Sequence, residues 1–423
     1  MTWRRLLQLA ILSAVVIAPS TTTGQVNPSW TQWGGPKRDF MSDSKGLASS
    51  WPASGPKKLW SRSLGEGHSS VLVENGRLYT MYRQVLRQPA VSHEEVVAAL
   101  DGASGKTIWE YKYPAPTTGI QFDQGLGPHS TPLIVGSRLF AASSRSELFA
   151  LDKMTGKRIW SHDLVKEFNA PLTARGYSGS PILYNGTIIV TMGGPNQAVA
   201  AFDQSSGKLV WKGGYFVWAP ASPILIDVDK QPQLVVFGGD VIAGMDPATG
   251  RELWTHPHKT DWGLNISTPV WIADQQLLLV SSAYGVGTRA LELRQASGKT
   301  TVTEKWRSQR MRVHIGTVIR LGEHAYGSSG DFGPALISAI DLKSGQIAWQ
   351  DRSFARAQLL YADGKVIVLD EDGVLGLATV SPTGLKVLAR ASVLQHLAWT
   401  PPTLVGTTLY VRDRQMISAF DLS

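Results

Sequence analysis

Cysteine is absent from all 423 residues of the chain. That removes disulfides, cysteine-ligated zinc and iron–sulfur centres, thiol nucleophiles and covalently attached haem in one step. It also removes the thiol on which a bacterial lipoprotein carries its lipid. Charge is scarce as well. Asp, Glu, Lys and Arg make up 17% of the residues, against roughly 25% in an ordinary soluble domain. Disordered chains and coiled coils both need more charge than this. After the first few residues, basic side chains never cluster beyond the pair Lys57-Lys58. Nucleic acid is therefore not an expected partner, because phosphate backbones call for a concentrated basic patch.

Long apolar runs are missing too. The clearest one, Leu6 to Ala18, is interrupted by Gln8 and Ser13 and falls short of the roughly 20 residues that span a bilayer. Arg4-Arg5 precede it, and the small, polar stretch Pro19 to Gly24 follows. This order of charge, apolar stretch and small residues is that of an export signal over residues 1–24. Its cleavage would take away two Arg and no acid, changing the formal net charge from +8 to +6. The expected product is a periplasmic or secreted bacterial protein, a monomer with neither a transmembrane segment nor a lipid anchor.

Glycine and tryptophan are abundant, with 42 and 15 copies, and they fall into a repeat. Five segments share the pattern D-x-x-[ST]-G-x-x-x-W without a gap. They contain Asp101, Gly105 and Trp109; Asp152, Gly156 and Trp160; Asp203, Gly207 and Trp211; Asp246, Gly250 and Trp254; and Asp341, Gly345 and Trp349. A stretched copy links Ser297-Gly298 to Trp306, and a degraded one has Leu388 where the tryptophan belongs. Asp accepting backbone N–H groups and Gly at positive φ are the chemistry of a tight turn between two strands. A second hairpin signal, Asn75-Gly76, Asn185-Gly186 or Asp363-Gly364, lies between apolar runs upstream. Two hairpins give four strands per repeat. From Asp101 to Asp421 the repeat averages about 46 residues, the length of a β-propeller blade.

The chain ends at Asp421-Leu422-Ser423, just where the motif still requires its Ser/Thr-Gly and tryptophan. Ser54-Gly55, with Trp60 five residues further on, supplies nearly that remainder near the other end. The expectation is a single all-β, eight-bladed propeller over residues 54–423, its last blade completed by the N-terminal segment, with a lead-in over 25–53. Seven blades remain open if the region around Thr383 is not a blade.

These residues resemble the pyrroloquinoline-quinone-like (PQQ-like) propeller repeat family, whose unit is this Asp…Ser/Thr-Gly…Trp motif. Two branches of the family are pertinent. Quinoprotein alcohol dehydrogenases hold PQQ and calcium at the centre of an eight-bladed ring, and the resemblance implies a vicinal cysteine pair, a calcium-binding acid and amide, and a catalytic aspartate. The cysteine pair is absent here. The BamB branch is closer in size and repeat layout, but its lipid-bearing cysteine is absent too.

Alignment of the blades on their inner hairpins puts one position just ahead of each first strand. Round the ring it reads His68, His129, Ser178, Pro220, Ile266, His314, Arg356 and Trp399, with Tyr177, Trp218 and Asn265 beside it. Inner strands line a propeller's central channel, so these side chains should converge on one mouth of it. His68, His129, Tyr177, Trp218, Asn265, His314, Arg356 and Trp399 are therefore the candidate binding residues, suited to an anionic or planar ligand. The competing structural reading is that they cap strand ends and bind water. The three histidines sit in different blades, so no metal site is expected. No catalytic residue can be named from spacing. The expected function is non-catalytic, a propeller presenting its channel mouth or rim to a protein or small ligand. The alternative is a PQQ-dependent alcohol or sugar dehydrogenase with an atypical site.

Overall fold

The computed structural model describes residues 29–86, 91–121 and 125–423, and the expected export signal lies outside them. The repeat forms eight antiparallel sheets of four strands, one of which gains a fifth, parallel strand. Blade 1 consists of Leu72–Glu74, Arg77–Val85, Val91–Asp101 and Thr107–Pro114. Blades 2 to 7 occupy 133–163, 182–213, 224–257, 270–308, 313–351 and 357–392. Blade 8 takes Thr403–Val405, Thr408–Arg412 and Met416–Asp421 from the C-terminal end and Lys57–Ser63 from the N-terminal side. The closing pair runs antiparallel, from Lys57 opposite Asp421 to Ser63 opposite Met416. The region around Thr383 is the outer hairpin of blade 7, so the ring has eight blades and the seven-bladed alternative falls. Among the described residues, helix is confined to Leu164–Phe168 and Ala273–Gln275, and no helix is long and apolar enough to cross a membrane.

The motif's residues each do a separate job. Asp152 Oδ1 accepts hydrogen bonds from the Thr155 backbone N–H and hydroxyl, both at 2.8 Å. Asp101, Asp203 and Asp341 hold Ser104, Ser206 and Ser344 in the same way. The glycine that follows sits at positive φ, for example +73° at Gly156. There a Cβ would lie 2.5 Å from the indole of Trp109, which belongs to the preceding blade. Gly105, Gly207, Gly250 and Gly345 receive Trp60, Trp160, Trp211 and Trp306 likewise. Each of these indoles also donates its N–H to a carbonyl in the turn it covers, as Trp109 does to Lys153 O at 3.0 Å. The tryptophans are therefore inter-blade latches.

Trp254 departs from this pattern. The stretched copy in blade 5 closes as a two-residue turn with Ser297 at φ +54° and Gly298 at +78°, both left-handed, and has no Asp-centred turn. No seat of the usual form exists for the preceding tryptophan. Trp254 instead lies over its own sheet against Gly244 and donates to Gln233 Oε1 at 2.7 Å. Gln233 carries the link onward through Thr300 Oγ1 of blade 5, at 2.8 Å.

The lead-in crosses the channel. Trp30 bridges Val73 in blade 1, and Thr31 O accepts the Ile134 N–H of blade 2. Arg38 donates to Pro181 O at 3.1 Å ahead of blade 3. Met41–Ser42 then pairs in parallel with the first strand of blade 7. Arg38 is 6% exposed, and burial pushes its guanidinium down to about 9. A charge held there depends on the carbonyl oxygens around it.

Candidate functional site

The ends of eight inner strands meet round the channel, and hydroxyls fix their spacing. Ser70 N donates to Thr131 Oγ1 at 2.9 Å, Thr131 N to Ser180 Oγ at 3.1 Å and Ser180 N to Ser222 Oγ at 3.0 Å. The Ser/Thr residues ahead of each strand are thus hydrogen-bond acceptors from blade to blade as well as small fillers. Above this belt lies a cavity of about 480 Å³. All eight positions aligned in the sequence line it, which brings His68, His129, His314, Arg356 and Trp399 into one space. Trp33 of the lead-in forms its floor, with its indole N–H donated to Thr268 Oγ1 at 2.9 Å.

Tyr177, Trp218 and Asn265 do not line the cavity. Tyr177 and Asn265 each precede a lining residue, and successive side chains of an extended chain point to opposite sides. Tyr177 and Trp218 pack together behind the wall, ring centroids 5.6 Å apart. Asn265 is fully buried; its amide donates to Gly238 O and His258 O and accepts from Ser282 Oγ.

Arg175, Trp262, Tyr284, Asp331 and Phe332 are among the lining residues that the sequence pattern does not reveal. Arg175 and Trp262 stand on loops that join one blade to the next, and Tyr284, Asp331 and Phe332 on loops between the second and third strands of blades 5 and 6, where no repeat pattern holds. Trp262 and Phe332 are 57% and 76% exposed and meet edge to face at the rim, 5.6 Å apart. Tyr284 lies against both, at 4.9 Å and 5.6 Å, and its hydroxyl is 2.6 Å from His314 Nε2. Towards blades 8, 1 and 2, His68 stacks on His129 at 5.3 Å and faces Trp399 at 5.4 Å.

Burial, reinforced by nearby arginines, pushes His314 down to about 4. His129 falls to about 4 for the same leading reason. Both rings are neutral at pH 7. Arg356 Nη1 is 3.3 Å from Glu371 Oε2, which also accepts the Trp399 indole N–H at 2.9 Å. Glu371 thereby positions two lining residues at once. Asp331 Oδ2 accepts from Arg312 at 3.1 Å and from the Gly285 N–H at 3.2 Å. Arg356 Nε, Asp331 Oδ1 and His314 Nδ1 are buried with no hydrogen-bond partner among the described residues. An apolar, aromatic space with a few uncommitted polar atoms is a ligand pocket in chemical terms.

The family model described as outer membrane protein assembly factor BamB matches residues 92–351, more than half of the chain. The chain is similar to the outer membrane protein assembly factor BamB of Yersinia pestis, 20% identical over 85% of this chain and 77% of that one. It is also similar to the quinohemoprotein alcohol dehydrogenase ADH IIB of Pseudomonas putida, 29% identical over 30% of this chain but only 18% of the dehydrogenase. The crystal structure of BamB from Moraxella catarrhalis superposes over 87% of this chain and 100% of that one, with a TM-score of 0.59 at 17% identity, a likeness of fold. With its five latch motifs inside or overlapping the matched span, the chain belongs to the family described as outer membrane protein assembly factor BamB.

Proposed function

We propose that this chain is an exported, non-catalytic binding propeller that presents its channel mouth to a protein or small ligand in the bacterial periplasm. The observation that carries this reading is the cavity's construction: Trp33 floors it, and exposed Trp262 and Phe332 frame its mouth. Exposed large aromatics at a cavity rim are the features of a contact surface. Similarity to BamB over most of the chain supports the same reading.

The quinoprotein relatives raise PQQ and calcium as a cofactor pair. A calcium-held quinone needs a carboxylate beside an amide, since calcium takes oxygen ligands in number. Asp331 is the carboxylate on the cavity wall among the described residues, and one of its oxygens is held by Arg312 and Gly285. Among the described residues no amide side chain lines the space, and Asn265 is fully engaged behind it. Among the described residues no three acids or histidines gather as metal ligands. The donor set does not fit a calcium-held quinone.

Photo-crosslinkers placed at Phe332 and at Trp262 in the source bacterium test the proposal. Adducts with one envelope protein are expected from these two positions and not from Val210 on an outer strand. Alcohol oxidation by the purified protein after addition of PQQ and calcium would overturn it.

A further inference from the structure

We infer that the cavity is a site for a flat organic anion of single charge, in chemical class an aromatic monocarboxylate, and not for a metal-held polycarboxylate. This rests on the reading of the channel mouth as a binding face and says what enters it. The walls supply the shape. His129, His68 and Trp399 form a continuous aromatic surface from blades 2, 1 and 8. Across the ring, Tyr284, Trp262 and Phe332 form a second one from the loops around blades 5 and 6. Flat π-surfaces on two sides select a flat body, because stacked and edge-to-face contacts add to burial only where planes can align.

The charges supply the sign and number. Arg356 is matched by Glu371 and Arg312 by Asp331. Of the three lining histidines, His129 and His314 carry no charge at neutral pH. Arg175 lines the same cavity, and among the described residues no carboxylate lies within ion-pair reach of it. One guanidinium without a carboxylate partner among the described residues, in a mostly apolar space, calls for one carboxylate, which its planar fork can bind through two N–H groups. A polycarboxylate would bring two or three negative charges to that single cation, with no metal-ligand set among the described residues to take the rest.

The test uses the purified full chain and three probes: 2-naphthoate, the neutral naphthalen-2-ylmethanol and the non-planar cyclohexanecarboxylate. Affinities are read by calorimetry and by quenching of tryptophan fluorescence, with and without calcium. The expected result is saturable binding of 2-naphthoate, at least about tenfold tighter than either other probe and indifferent to calcium. Arg175→Gln should weaken 2-naphthoate by about tenfold and leave naphthalen-2-ylmethanol unchanged, which also reports that the fold is intact. Equal binding of 2-naphthoate and the alcohol would overturn the inference. So would equal binding of the two carboxylates, an unaltered Arg175→Gln variant, tightening by calcium or no saturable binding of 2-naphthoate. If these binding tests fail while the crosslinks at Phe332 and Trp262 persist, the ligand class is wrong and the binding-propeller reading stands. Loss of those crosslinks would remove that reading itself.

Discussion

Two kinds of residue set the chemistry of this molecule, and both can be probed singly. The first is the latch glycine. At Gly156 the backbone is left-handed and the neighbouring indole fills the space a Cβ would need. At Gly298 the backbone is equally left-handed but nothing lies within 4 Å. Gly298→Ala should therefore cost about 1 kcal/mol, the conformational penalty alone, and Gly156→Ala about 3 kcal/mol, because Trp109 must also move. Urea midpoints of the two variants measure the difference, and equal losses would mean that the latch contact adds nothing. The second kind is the buried histidine. Burial holds His129 and His314 down at about 4 and His258 at about 3, whereas an unfolded histidine titrates near 6.5. The unfolded chain takes up these protons first, so stability is full above pH 6.5 and is lost as the pH falls towards 4. Each ring contributes up to about 1.4 kcal/mol per pH unit in that window. Denaturation at pH 7 and pH 5 should show a lower midpoint at pH 5, and His314→Gln should flatten the difference. An unchanged pH dependence in that variant would remove His314 from the account.

At the scale of the element, the lead-in decides whether the channel is a bore or a blind cavity. Its anchors are the Trp30 bridge, the parallel pair at Met41–Ser42 and the buried Arg38. Arg38→Met keeps the apolar stem but removes donors from Pro181 O and Ser180 O, a loss of about 1–3 kcal/mol per carbonyl left unsatisfied. Hydrogen exchange across 29–42 should quicken in this variant while the blade 3 strands stay protected, and uniform exchange would place the anchor elsewhere. The same scale explains what could be read in advance. The Asp, Gly and Trp of the five ungapped repeats announce themselves because a tight turn and an indole seat permit few substitutes. The ring from His68 to Trp399 was legible because it keeps a constant offset from each inner strand. Arg175, Trp262, Tyr284, Asp331 and Phe332 were not, because the loops that carry them differ in length and follow no repeat. Trp33 was hidden for a different reason. Nothing local marks a lead-in residue as the floor of a cavity whose donor partner, Thr268, lies 235 positions away. Tyr177 and Asn265 misled because neighbours in an extended segment point to opposite sides, and Trp218 because it packs on Tyr177 behind the wall.

At the scale of the whole molecule, eight sheets become one body only because the two ends of the chain share blade 8. Seven blades are built from local hairpins, whose contacts are short in sequence and quick to form. The eighth requires Lys57–Ser63 to find Met416–Asp421, with Ser61 Oγ and Ser418 Oγ 2.8 Å apart across the seam. Met416–Asp421 is also the strand between Thr408–Arg412 and Lys57–Ser63, so without it Lys57–Ser63 loses its partner and Thr408–Arg412 keeps only Thr403–Val405. Trp60 would still face the turn at Gly102 in blade 1, but from a strand no longer held in a sheet. A repeat array with an open seam unfolds piecemeal, since each unit is then stabilised only by its neighbours. Removal of residues 414–423 should accordingly turn one steep urea transition into a broad one with a smaller m-value. Fluorescence from the seam-side indoles should change before that from the middle of the chain. Single-tryptophan versions reporting from Trp60 and from Trp211 would resolve the two, and coincident transitions at the full-length midpoint would show that the ring holds without its seam.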